Sequence, residues 1–151
     1  MKYHTIKADI WEDEKIRVLD ANQKLLFFYL FSNRRCPPSG IYKLSIESAA
    51  FEITLPQDKV LNALKELIHQ ELISFDPKRN SFWVRGKIKH HKVDFRDYVA
   101  LKSIRNDLDA FKDVSWYQDF FEKYPQFIDI AIELEELKKI RYQKNTAKEN
   151  D

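Results

Sequence analysis

Cysteine is almost missing from this chain: Cys36 stands alone, so no intramolecular disulfide and no cysteine-built zinc knuckle can form. A reducing cytoplasm is the expected compartment, and no signal sequence is recognised. Glycine occurs only twice in 151 residues. That scarcity argues against a loop-rich or disordered chain and leaves no phosphate-cradling glycine loop. Long apolar runs are lacking too: the longest, "LLFFYLF" from Leu25 to Phe31, is far shorter than the ~20 residues of a membrane span. There is no nucleophile elbow and no recognisable pair of catalytic carboxylates, so a binding protein without a cofactor is expected rather than an enzyme. His4 and His69 are scattered, and the adjacent His90 and His91 point apart, so no metal site is expected.

Burial material is plentiful. Hydrophobic residues make up 44% of the chain and aromatic residues 14%, enough for one sizeable core or a small domain with an extension. The net charge of +2 conceals an asymmetry. Residues 1–92 hold 16 Lys and Arg against 11 Asp and Glu, a net +5, whereas residues 93–151 hold 10 against 13, a net −3. A basic first part with a more acidic extension suits a nucleic-acid-binding module that also faces a partner.

Along the chain, "KADIWEDEKIRVLD" reads as a short strand or turn followed by a docking segment. Asp20 is placed to cap a helix over "ANQKLLFFYLFSN", with Leu25, Leu26, Tyr29 and Leu30 on one face. "RRCPPSG" must turn, and "IYKLS" reads as a short strand. Ser45 caps "IESAAFEI" as a simple cap. Thr54 is placed to cap the next helix, which runs from about Pro56 to Glu71 with Val60, Leu61, Leu64, Leu67, Ile68 and Leu72 as its apolar stripe. Gln57, Lys59, Asn62 and Lys65 then fall on its other faces, with Asp58 and Glu66 among them. Two helices joined by a tight turn make a helix-turn-helix.

"LISF" and "SFWVRG" are rich in β-branched and aromatic residues and flank the turn-forming "DPKRN", so they should pair as a hairpin with Lys78 and Arg79 at its tip. The basic run "RGKIKHHK" follows, carrying Arg85, Lys87 and Lys89. A helix-turn-helix followed by a hairpin predicts a winged helix, an α+β and mostly helical fold. In that fold Gln57, Lys59, Asn62 and Lys65 on the recognition helix, and Lys78, Arg79, Arg85, Lys87 and Lys89 of the wing and the run after it, would contact DNA, with the wing tip Lys78 and Arg79 at phosphates. Arg34 and Arg35 are expected in a loop, Cys36 as a loop thiol, and Phe27, Phe28 and Trp83 as core.

The stretches "IWEDEKIRVLDANQKLLFFYLFSN", "SGIYKLSIESAAFEITLPQDKVLNALKELIHQELISFD" and "FWVRGKIKHH" together resemble the N-terminal winged-helix domain of phage and prophage replisome organisers, relatives of the DnaD-type primosome proteins. The likeness spans roughly residues 8–92. It implies binding to double-stranded origin DNA and recruitment of a replicative helicase or helicase loader. A transcriptional regulator on the same fold, and a winged helix used only for protein interaction or oligomerisation, are the alternatives.

Beyond the domain at 1–92, a helical extension is expected over 93–143 and a flexible tail over 144–151. Val99, Leu101, Ile104, Leu108 and Phe111 supply one periodic stripe; Ile130, Leu134, Leu137 and Ile140 supply another past Pro125. These helices either cover the domain or join two copies of the chain.

Overall fold

The computed structural model describes residues 2–91, 93–127 and 140–147. It is a mixed α+β protein, mostly helical, with one small antiparallel sheet. A 3₁₀ turn at Ala8–Glu12 and the short helix α1 (Glu14–Arg17) dock the N-terminal segment through the buried Ile10 and Ile16. The segment opens with a turn, of 3₁₀ form, and no strand; Asp13 then accepts from the Lys15 N–H and starts α1.

Helix α2 (Ala21–Ser32) begins at Asp20, whose carboxylate accepts from Gln23 N–H while the Gln23 side chain accepts from Asp20 N–H. This reciprocal pair is a capping box, so Asp20 caps α2 as expected, with Gln23 closing a second bond. Strand β1 (Ile41–Lys43) follows, then α3 (Ile46–Ile53) under its Ser45 cap and α4 (Gln57–His69). Thr54 does not cap α4. It closes α3 in the left-handed conformation, with φ 60°, and Pro56 occupies the position before α4 with no side-chain cap. Strands β2 (Ile73–Asp76) and β3 (Ser81–Val84) form the hairpin, and the sheet order is β1-β3-β2.

Alternation along the strands divides the sheet between two cores. Tyr42, Phe82 and Phe75 stand in register across the three strands, and Phe75 and Phe82 stack at 4.5 Å. They face the core built by α2, α3 and α4, with Leu26, Leu30, Phe31, Val60, Leu64 and Leu67. Ile41 and Trp83, one residue out of phase, enter a second core with Leu101, Leu108, Trp116, Phe120 and Phe127. Burying a tryptophan of this kind is worth roughly 4–6 kcal/mol.

That second core is supplied by α6 (Tyr98–Asp109) and α7 (Tyr117–Lys123), reached through the short helix α5 (Lys87–His90). The stretch from Asp97 to Tyr124, expected as one periodic helix, breaks after Asp109. Residues in the break hold the hairpin: Ser115 N–H donates to Asp76 Oδ2 at 3.0 Å, and Trp116 Nε1 donates to Ser81 O at 3.2 Å. The segment after 93 therefore covers the open face of the sheet. Val99, expected in the stripe, is 75% exposed. Ile130, Leu134 and Leu137 lie outside the described residues. Residues 140–147 are helical, so the tail expected from 144 begins as helix, with Thr146 Oγ1 donating to Tyr142 O. No helix among the described residues is long and apolar enough to cross a membrane.

Candidate functional site

Helix α4 turns its apolar side, Val60, Ala63, Leu64 and Leu67, into the core. At 100° per residue the opposite side must carry Asp58, Asn62, Lys65 and His69, with Lys59 flanking and Gln57 in the first turn above the apolar side, and all six are exposed. Two residues of the expected apolar stripe, Leu61 and Ile68, are exposed as well, because they sit at the edge of the arc that α2 and β2 cover. Lys59 and Asn62 border a shallow recess of about 170 Å³ with Asp20, Asn22 and Gln23 of the α2 N-terminus.

The hairpin tip is tightly determined. Asp76 is buried; its Oδ1 accepts from Lys78 N–H at 3.0 Å and its backbone carbonyl accepts from Arg79 N–H. Asn80 takes φ 47°, the left-handed geometry its side chain tolerates. Burial alone would raise the Asp76 carboxyl. The N–H groups of Ser115, Lys78 and Arg79 and the Arg79 guanidinium outweigh it and hold the group below the ordinary carboxylate range. The Arg79 guanidinium lies 3.5 Å from Asp76 Oδ2. Of the two tip cations, Lys78 is thus the one presented outward without a carboxylate partner among the described residues.

The basic run after the hairpin does not act as a unit. Lys87, assigned to DNA contact from the sequence, is 0% exposed and cannot reach a ligand on the surface. Its ammonium donates to Phe31 O at 2.9 Å, lies 2.7 Å from His4 Nδ1, and sits 4.1 Å from the centre of the Phe31 ring. It caps the C-terminal carbonyls of α2, where the helix dipole favours a cation. Gly40 makes room for it. With φ 74°, a Cβ there would lie 2.7 Å from both Lys87 Cβ and Val84 O.

Arg85 and Lys89 do reach the surface, at the base of the hairpin. Arg85 lies over the Trp83 ring at 4.6 Å, and its N–H donates to Leu72 O beside the C-terminus of α4. Five residues separate it from Asn80, roughly 16 Å at the rise of a strand. Lys15 and Lys123 join Arg85 and Lys89 around one cleft. Sequence reasoning missed both, since Lys15 and Lys123 come from α1 and α7, far from the 85–89 segment in the chain.

Three histidines surround the Lys87 region. His4, His90 and His91 are each held below the ordinary histidine value, by burial first and then by neighbouring lysines, Lys87 for His4 and His91 and Lys7 for His90. Cys36 lies in the loop between α2 and β1, as expected, but its thiol is buried in the core, and burial pushes its pKa up to about 11. Arg34 and Arg35 are exposed beside a cavity of about 380 Å³ that Asn33 and Glu52 complete. Phe27 and Trp83 are core, and Phe28 is half-buried against Trp11. Among the described residues no group of three His, Cys, Asp or Glu side chains is placed to hold a metal ion. No protein-family model, no curated protein and no solved structure matches the chain.

Proposed function

We propose that the chain is a winged-helix protein that binds duplex DNA, with α4 as its recognition helix and the β2–β3 hairpin as its wing. The observation that carries this reading is the exposed surface of α4: Lys59, Asn62 and Lys65 away from the core, with Gln57 exposed in the first turn, on one helix of 13 residues. The α3–turn–α4 pair is followed directly by a hairpin whose tip presents Lys78. The order helix, strand, helix, helix, hairpin, with the first strand pairing on the third, is the order a winged helix requires. A helix of about 12 Å diameter with its side chains fits the major groove. Amide side chains such as Gln57 and Asn62 suit adenine edges, and Lys59, Lys65 and Lys78 supply phosphate contacts. Asp58 and Glu66 oppose phosphate on the same helix and restrict how α4 can lie in the groove.

The resemblance to replisome organisers directs this DNA binding to replication initiation, with a helicase or its loader as the protein partner. Amide chemical-shift mapping with a short duplex tests the surface. Shifts concentrated on residues 57–65 and 78–80 support the reading, and shifts confined elsewhere overturn it.

One observation favours a second reading, a protein-interaction module. Phe51 on α3 is 87% exposed, and Leu61 and Ile68 on α4 are also open to solvent. Salt-independent association with a protein partner, lost on Phe51→Ser, would support that alternative over DNA.

A further inference from the structure

We propose that the cleft at the base of the hairpin is a phosphate-binding site, distinct from the duplex-binding surface and independent of it. Four cationic side chains line it: Lys15 of α1, Arg85 in the link between β3 and α5, Lys89 of α5 and Lys123 of α7. Two carboxylates, Asp13 and Glu71, line it as well. Yet no carboxylate approaches any of the four cations within 4.0 Å among the described residues. Asp13 is occupied otherwise, since its carboxylate accepts from the Lys15 backbone N–H at 2.8 Å.

Four positive charges against two negative ones leave an excess of two, which a phosphate dianion would neutralise. Burial first, and then the charges of Arg85, Lys15 and Lys89, pull the Lys123 ammonium below the ordinary lysine value.

Two of the groups are held in place before any ligand arrives. Arg85 is oriented by its position over the Trp83 ring, 4.6 Å from its centre. A planar guanidinium recognises phosphate oxygens with directional bonds. Lys123 Nζ donates to Arg85 O at 3.3 Å, which ties α7 to the same rim. The cavity, about 200 Å³, is below the ~300 Å³ at which pockets for drug-sized molecules begin. A phosphate or diphosphate group fits it, either free or as the end of an oligonucleotide.

The site stands apart from the α4 surface. Glu71 and Leu72, which line the cleft, follow the C-terminus of α4, and Gln57 opens the other end of that helix, about 20 Å away at the rise of an α-helix.

The test is amide chemical-shift titration of the full chain with inorganic phosphate at constant ionic strength, with sodium chloride as the control. Saturable shifts at Lys15, Arg85, Gly86 and Lys123, absent with chloride, are expected. Lys123→Gln, a change at an exposed side chain, should weaken the affinity about tenfold, whereas Lys65→Gln on α4 should leave it unchanged. A second arm compares a dinucleotide bearing a 5′-phosphate with its 5′-hydroxyl form. Tighter binding of the phosphorylated form, lost in Lys123→Gln, identifies a nucleic-acid end as the source, and equal weak binding of both beside a clear phosphate response identifies a small anion. Shifts that never saturate, or an equal loss in Lys65→Gln, would overturn the proposal, since both are the signature of diffuse charge attraction.

Discussion

The outward side of α4 and the segment from Arg85 to His91 carry similar basic side chains, and the fold treats them in opposite ways. On α4 the cations stay solvated because the core takes only the side that Val60, Ala63, Leu64 and Leu67 define. After the hairpin, a four-residue helix turns Lys87 inward as a cap for α2, while Arg85 and Lys89 go to a cleft shared with Lys15 and Lys123. Adjacency in sequence thus sets charge in α4 and conceals it after β3. A basic run is a single surface only where its element presents one side to water.

The sharpest way to break the comparison is to remove the space that Lys87 occupies. Gly40→Ala combines an unfavourable left-handed φ with two contacts at 2.7 Å, and should cost about 3–5 kcal/mol in urea denaturation. Lys87→Ala should cost about 3 kcal/mol, since it leaves a void and orphans the Phe31 carbonyl. Lys65→Ala, the same chemistry on a solvated face, should change stability by no more than about 0.5 kcal/mol. Equal effects for the two lysines would erase the distinction.

Proton linkage supplies a smaller effect with a definite sign. His4, His90 and His91 have folded values below the unfolded one, so the unfolded chain binds more protons between the two. The stability they confer is full above about pH 6.5 and is lost as pH falls through that value toward their lowered folded values. Denaturation midpoints at pH 7.5 and 5.5 should differ in the direction of lower stability at 5.5, and His4→Gln should narrow the gap. An unchanged midpoint would contradict the crowding around Lys87.

Much of this architecture was legible because its signals are local. The Ser45 cap, the α4 periodicity and the "DPKRN" turn with Asn80 at positive φ each depend on neighbours within a few residues. The unread parts depend on distant partners. Nothing near Lys87 announces that Phe31 and His4 wait for it, and Arg79 is drawn back to an Asp76 that Ser115, far along the chain, helps to bury. Thr54 was misassigned because its left-handed backbone, and not its hydroxyl, is what the turn uses. The cleft draws on α1, the segment from Arg85 to Lys89 and α7, so no single window of sequence contains it.

The smallest effects belong to the proposed DNA surface. Lys59→Ala and Lys78→Ala should each leave stability within about 0.5 kcal/mol and lower the salt dependence of duplex binding by about one unit of slope. Arg79→Ala should lower it less, because Asp76 already offsets that charge.

Fluorescence anisotropy of a labelled duplex across a salt series, comparing the wild-type chain with the Lys59→Ala/Lys65→Ala/Lys78→Ala triple variant, tests the central claim most directly. Affinity that falls steeply with salt, with a slope shallower by about three units in the triple variant, is the predicted result. Identical slopes for the two proteins, or no binding at low salt, would contradict it.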